Sequence, residues 1–213
     1  MQQGLIQTTP QSGDNFKGMN EYLLVIRPDD EVYNKVITEK QKFYDAYHQK
    51  VSDEARAHIT VACFMAREEM EETLIRWIQR VSSQQKSFPV ALNNYSGFPE
   101  HTIYLRVQDH QPFKQLATQL KVIDSYIRSN GYSPVKLINR PHMSIARRLS
   151  QDVYEKAMVD YSQKTFFELF TVRELVLLRR AHQYDTWKVI NIFRLLPGEN
   201  NLFNKKLTLC NLI

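Results

Sequence analysis

The sequence predicts an α+β protein with two lobes, and three observations lead to this prediction. Amphipathic helices and apolar strands follow one another without the strict alternation that is typical of a parallel sheet. A strand, a helix and a pair of strands around residues 57–107 are echoed by a similar order around residues 141–196. Each half also carries one short motif that begins with histidine. We therefore expect two similar lobes that face each other across a cleft.

The first quarter of the chain predicts a strand, a helix and a second strand. Residues 21–27 are mostly apolar and end at Pro28, which is typical of a buried strand. Asp29 or Asp30 is suited to cap the helix that follows. The apolar positions of this helix are Val32, Val36, Phe43 and Tyr47. The second strand is predicted at residues 57–65.

The middle of the chain predicts two helices and two strands. At residues 68–81 the apolar positions form the stripe of an amphipathic helix, with acidic residues in the first turn. Residues 88–95 and 101–107 are strand-like and are joined by a loop that contains Gly97 and Pro99. A helix is predicted at residues 112–130, with proline near its start and glycine just after its end.

The last third predicts mostly strands. A short apolar segment at residues 135–138 precedes a strand at 141–149. Ser150 is suited to cap a helix whose apolar positions are Val153, Ala157, Met158 and Tyr161. Strand-like runs follow at residues 172–179 and 187–196, and residues 207–213 are a further candidate strand.

Composition and charge restrict the class of protein. The 213 residues carry a formal net charge of +5, a mild basic bias that is compatible with an anionic ligand. No apolar run is long enough for a signal peptide or a membrane span, so we expect a cytoplasmic protein.

We expect a loose tail at residues 1–20 and one bilobal domain at residues 21–213. Cys63 and Cys210 lack the spacing of a metal site, and no cofactor, membrane or obligate protein partner is implied.

Two tetrapeptides carry the functional signal. Residues 58–61 read HITV and residues 142–145 read HMSI, so each runs histidine, apolar residue, hydroxyl residue, β-branched residue. Side chains alternate between the two faces of a strand, which puts His58 with Thr60 and His142 with Ser144. If the lobes face each other, these four side chains line one cleft.

This set of side chains suits phosphodiester chemistry. The reaction needs a base for the attacking oxygen and an acid for the leaving oxygen, and imidazole serves as either near neutral pH. The hydroxyl groups of Thr60 and Ser144 are expected to donate hydrogen bonds to the non-bridging phosphate oxygens. No metal is required by this chemistry.

The two motifs resemble the paired His-x-Thr/Ser-x signatures of the two-histidine (2H) phosphoesterase superfamily, which includes the bacterial 2′-5′ RNA ligases. Residues 57–64 (AHITVACF) and 140–147 (RPHMSIAR) resemble the two motif strands. Residues 97–107 (GFPEHTIYLRV) and the closing segment 175–196 resemble the other parts of the pattern. The resemblance implies two antiparallel sheets flanking a central cleft, with helices on the outside. It also implies that His58 and His142 are the catalytic pair and that Thr60 and Ser144 bind phosphate, without assigning the acid and the base.

The resulting hypothesis is a metal-independent phosphodiesterase that acts on RNA or nucleotide 2′,3′-cyclic phosphates or on 2′-5′ linkages, with reversible 2′-5′ RNA ligase activity as an extension. Its expected partner is an RNA end or a nucleotide cyclic phosphate. Two alternatives remain open: an enzyme for small nucleotides such as ADP-ribose cyclic phosphate, and a non-catalytic RNA- or nucleotide-binding module. A metal site formed by the two histidines is a weaker alternative, because the further ligands are missing.

Three further residues are candidates for substrate binding. Strict alternation puts Arg148 on the face of His142 and Ser144, and it puts Arg147 on the other face. Arginine is well suited to bind phosphate with two hydrogen bonds. Phe98 and Tyr184 are candidates to stack on a nucleobase.

Overall fold

The computed structural model describes residues 18–49, 56–98, 101–182 and 184–198. The helices are α1 (Asp30–Tyr47), α2 (Glu71–Ser82), α3 (Gln111–Gln119), α4 (Lys121–Ser129) and α5 (Gln151–Ser162). The strands are β1 (Met19–Ile26), β2 (Ile59–Arg67), β3 (Phe88–Phe98), β4 (Thr102–Val107), β5 (Lys136–Leu137), β6 (His142–Ala146), β7 (Phe167–Val172), β8 (Glu174–Arg180) and β9 (Lys188–Arg194). The predicted α+β class is confirmed. Cys210 and the candidate strand at 207–213 lie outside the described residues, as does most of the tail predicted at 1–20.

The strands form one antiparallel sheet in the order β7-β3-β4-β6-β2-β1-β8-β9, and β5 pairs with β2. The two predicted sheets therefore correspond to two halves of a single hydrogen-bonded sheet. Strands β7, β3, β4 and β6 form one half, and β2, β1, β8, β9 and β5 form the other. The motif strands β2 and β6 lie at the boundary between the halves.

The boundary between the two halves depends on very little backbone pairing. Within the described residues, β2 and β6 pair at one position, Ile59 opposite Met143. Further along β2, the two-residue strand β5 takes over as the neighbour, with Ala62 opposite Leu137. Both Ile59 and Met143 are fully buried, so the pairing lies on top of a packed core.

The helices pack on one face of this sheet. The main core combines alternate strand residues from both halves with the apolar faces of the helices, among them Val36 of α1 and Leu74 of α2. The opposite face carries a separate small cluster with no helix residue, formed by Val25, Val176, Leu178, Leu23 and Trp187. We call this second face the open face, because the described helices pack into the other core.

Two details differ from the sequence prediction. The helix predicted at residues 112–130 is two helices that join at Leu120, which is fully buried. The strand predicted from residue 172 is preceded by the unpredicted edge strand β7, which hydrogen-bonds to β3. The sequence of β7 does not alternate clearly between apolar and polar residues, since two of its apolar residues, Phe167 and Leu169, lie on the exposed side. No helix in the described part of the chain is long and apolar enough to span a membrane.

The boundary pair yields a stability prediction. Met143→Ala removes a fully buried side chain under the β2–β6 junction, so we expect the free energy of unfolding to fall by about 2–5 kcal/mol. Urea denaturation measures this change. The matched control is Val159→Ala on α5, whose side chain is 63% exposed and whose truncation should cost less than about 0.5 kcal/mol. Equal losses in the two variants would show that the junction adds nothing to stability.

Candidate active site

The β2–β6 junction brings the four motif side chains together on the open face. Continuing the Ile59–Met143 register by one residue in each direction puts His58 opposite Ser144 and Thr60 opposite His142. Ile59, Val61, Met143 and Ile145, the apolar residues of both motifs, are buried on the helix side. The histidines and hydroxyl residues therefore project from the other face, where all four are partly exposed.

The two histidines are diagonal neighbours in this arrangement. Diagonal positions on adjacent antiparallel strands have side-chain origins about 7–8 Å apart. That separation leaves room for one phosphate group between the imidazole rings. The hydroxyl groups of Thr60 and Ser144 occupy the other diagonal, so a phosphate at the centre would have two imidazoles and two hydroxyls around it.

Both imidazoles are held in the same way. Nδ1 of His58 lies 2.7 Å from the carbonyl oxygen of Arg56, and Nδ1 of His142 lies 3.1 Å from that of Arg140. A carbonyl oxygen only accepts hydrogen bonds, so each Nδ1–H is the donor. In the neutral ring Nε2 then carries the lone pair, and each motif has a defined tautomer that leaves Nε2 for proton transfer.

Burial and nearby cations favour the neutral form of both histidines. Burial lowers the pKa of His58 to about 4, and Arg147, Lys40 and Arg27 contribute in the same direction. Burial and Arg147 also lower the pKa of His142. The larger change is at His58, so in the unliganded site His58 is held more firmly in the neutral form that a general base requires.

Arg147, and not Arg148, joins the motif residues. Its Nε donates a hydrogen bond of 2.8 Å to Oγ of Ser144. The prediction from strict alternation was wrong because β6 contains a bulge. Tyr104 pairs with Ser144 but Ile103 pairs with Ala146, so Ile145 is an extra residue that reverses the alternation. Arg148 follows with a positive φ of 58° and is exposed.

An aromatic pocket adjoins His142. The rings of Phe98 and Tyr104 stack with centroids 4.4 Å apart, and both contact the imidazole of His142, at 4.9 Å and 5.0 Å. These rings border a pocket of about 340 Å³, which has the size of a small-ligand site. Its lining is completed by Asn93, Arg106, Val107, Gln108, His110, Arg140 and Pro141.

Tyr184 lies at the other end of the sheet. It follows β8, whose last residue, Arg180, pairs with Glu21 of β1, which in turn pairs with Met65 of β2. Met65 is six residues along β2 from Ile59, or about 20 Å. Tyr184 is 85% exposed, and its ring contacts that of His182. The structure therefore does not bring Tyr184 to the four motif side chains.

Some residues of the site were not predicted from the sequence. Tyr104 and Arg106 alternate along β4 and pair with Ser144 and His142, but this pairing is visible only once the strand order is known. Lys40 is buried in α1, at a position where the sequence alone would predict a surface lysine. In the part of the chain that the structure describes, no group of three histidine, cysteine or carboxylate residues is placed to hold a metal ion.

Comparisons with known proteins concern the family and the fold of the chain. The family model of the 2′-5′ RNA ligase superfamily matches residues 28–183. The fold is similar to that of E. coli LigT crystallised with 3′-AMP, with a TM-score of 0.62, 16% identity, and coverage of 83% of this chain and 98% of LigT. It is also similar to TT0787 of Thermus thermophilus, with a TM-score of 0.60, 14% identity, and coverage of 84% and 100%. No curated protein sequence matches the chain significantly.

The low histidine pKa values predict how stability depends on pH. An unfolded histidine titrates near 6.5, whereas His58 titrates at about 4 in the folded chain. The contribution of His58 to stability is therefore complete above about pH 6.5 and is lost as the pH falls towards 4. Between pH 6.5 and pH 4 we expect the free energy of unfolding to fall less for His58→Gln than for the parent, as measured by urea denaturation. The same dependence of this free energy on pH in the two proteins would contradict the low pKa of His58.

Proposed function

The chain belongs to the 2′-5′ RNA ligase superfamily, and we propose that it is a metal-independent phosphodiesterase acting on 2′,3′-cyclic phosphates and 2′-5′ linkages of RNA ends or nucleotides. Membership confirms the resemblance to the two-histidine phosphoesterases that the motifs indicated. The observation that carries the proposal is the pairing of Ile59 with Met143, because it puts two imidazoles and two hydroxyls around one phosphate-sized space.

The proposed hydrolysis uses the histidines on opposite sides of the phosphorus. Nε2 of His58 takes a proton from water, and the water oxygen forms a bond to phosphorus. The bond from phosphorus to one ribose oxygen breaks, and His142 gives its Nε2 proton to that oxygen. Thr60, Ser144 and Arg147 hold the non-bridging oxygens, where negative charge accumulates.

Two features support His142 as the acid in this direction. The aromatic pocket lies beside His142, so a nucleoside bound there would present its ribose oxygen to that ring. The lower pKa of His58 makes it the stronger candidate for the neutral base. Synthesis of a 2′-5′ linkage keeps these roles, with a 5′-hydroxyl in place of water. Cleavage is the reverse of synthesis and exchanges the roles, as microscopic reversibility requires.

The ligands of structurally similar proteins support a nucleotide in this cleft. E. coli LigT has been crystallised with 3′-AMP and with phosphate. It has also been crystallised with NADP⁺ and with ATP, which favours a second candidate, an enzyme for small nucleotides. The aromatic pocket of about 340 Å³ suits a single nucleoside and is compatible with both candidates.

The acid–base mechanism predicts that neither histidine is dispensable. We expect His58→Ala and His142→Ala each to lower kcat for hydrolysis of 2′,3′-cyclic AMP by about 10²- to 10⁴-fold, because each removes one proton transfer. Turnover by the parent protein should be unchanged by a chelator. Circular dichroism checks that the variants are folded. A chelator-sensitive rate would contradict the metal-independent mechanism, and binding without turnover would support the non-catalytic alternative.

The bulge in β6 predicts different effects for two neighbouring arginines. Arg147→Ala removes the guanidinium that donates to Ser144, so we expect kcat/KM to fall by about 10- to 100-fold. Arg148→Ala is the matched control on the adjacent exposed residue, and its kcat/KM should stay within about threefold of the parent. A larger loss of kcat/KM in Arg148→Ala than in Arg147→Ala would support the prediction from strict alternation that Arg148 is the arginine of the site.

A further inference from the structure

We propose that Arg27 binds a second anionic group of the substrate, beyond the reacting phosphate on the His58 side. This inference rests on the proposed function, because it assumes that a phosphodiester lies between the two histidines. It names a preferred substrate class: a 2′-5′ linked oligonucleotide whose nucleoside on the His58 side carries a further phosphate. Three observations support it, namely the placement of Arg27, its unpaired donor and its position relative to the reacting phosphate.

The sheet register puts Arg27 beside His58. Val25 of β1 pairs with Thr60, and Ile26 pairs with Ile59. Continuing this register by one residue beyond the end of β1 puts Arg27 opposite His58, and the charge of Arg27 acts on His58. Val25 belongs to the cluster on the open face, whereas Ile26 belongs to the main core. By alternation, Arg27 projects from the open face with the motif residues.

Arg27 has a buried donor that lacks a hydrogen-bond partner among the described residues. Its Nε is shielded from solvent and makes no hydrogen bond to any described residue. Burial lowers the pKa of Arg27, and the neighbouring Arg56 adds to this effect. Glu174, its expected neighbour on β8, attracts it, yet no ion pair joins the two residues in the described structure. A partly buried cation is costly, and a negative charge beside the guanidinium would offset the electrostatic part of that cost.

Two other arginines that act on His58 or on Arg27 have partners within the protein. Arg56 donates to Asp30 at 2.9 Å and lies over the ring of Tyr33. Arg147 donates to Ser144. Arg27 thus differs from both in offering a guanidinium whose Nε has no partner among the described residues, next to a residue of the catalytic pair.

The position of Arg27 favours a second anion over the reacting phosphate. The reacting phosphate lies between β2 and β6, where Thr60, Ser144 and Arg147 already surround its oxygens. Arg27 directly follows β1, about 4.8 Å further out than β2, with His58 between it and the reaction centre. The group nearest to Arg27 is therefore the one attached to the oxygen on the His58 side.

In a 2′-5′ dinucleotide that group is the second nucleoside. Cleavage forms a bond from the neighbouring 3′ oxygen to phosphorus and breaks the bond from phosphorus to the 5′ oxygen. His142 takes the 3′-hydroxyl proton, and His58 gives a proton to the departing 5′ oxygen. A 2′-phosphate on the departing nucleoside is the next anion along a 2′-5′ linked chain, and arginine is suited to bind it.

Binding of two adenylate dinucleotides tests this inference. One is a 2′-5′ linked diadenylate, and the other is the same molecule with a phosphate on the 2′ oxygen of the second nucleoside. We expect the phosphate to lower Kd by about tenfold or more in the parent protein, and we expect Arg27→Gln to abolish this difference. Arg27→Lys should retain part of it. Calorimetry measures Kd, with His142→Ala added to every protein so that the dinucleotides are not cleaved.

The matched control is Arg56→Gln, which removes a nearby guanidinium that already has protein partners and should keep the preference. Arg27→Gln should also leave kcat/KM for 2′,3′-cyclic AMP within about threefold of the parent value, because that substrate has no group on the His58 side.

A preference for the phosphorylated dinucleotide that survives in Arg27→Gln overturns the inference. Equal losses on all substrates overturn it as well, since Arg27 would then act on the reacting phosphate. Absence of turnover with the preference intact would contradict the proposed function alone.

Discussion

The backbone pairing of Ile59 with Met143 holds the two halves of the sheet in the register on which the site depends. The side-chain period of a strand is two, so a slip of one residue would turn one motif towards the helices and expose its apolar residues. The buried side chains of Ile59 and Met143 oppose such a slip, because it would remove them from the core. Core packing under the junction therefore defines the geometry of the polar residues above it.

The electrostatic character of the site follows from the same placement. The junction puts two imidazoles on a partly buried surface near Arg147, and Lys40 lies near one of them. In this environment the unliganded histidines are neutral, although the mechanism needs one imidazolium. A bound phosphate supplies negative charge that raises the pKa of a nearby imidazole. The required proton is thus best held when substrate is present, which couples the active protonation state to binding.

The sequence predicts those features that are local in the chain. The apolar stripes of the helices and the alternation within the two motifs are local patterns, and the structure has helices and strands at most of those positions. The bulge at Ile145 is not local, because it depends on how β4 pairs with β6. Without that pairing, alternation assigns Arg148 to the place that Arg147 occupies. The pocket formed by Phe98 and Tyr104 at His142 likewise requires the order of the strands.

The two sides of the site differ, and this difference has a consequence for substrate orientation. Beside His142 there are stacked aromatic rings that suit a planar base, and the pocket that they border also contains Arg106 and Arg140. Beside His58 there is Arg27, whose charge suits an anion. In the reversed orientation the base would lose its stacking on Phe98 and Tyr104 and would lie beside Arg27. A nucleotide chain would therefore bind in one direction, and that direction decides which ribose oxygen faces each histidine.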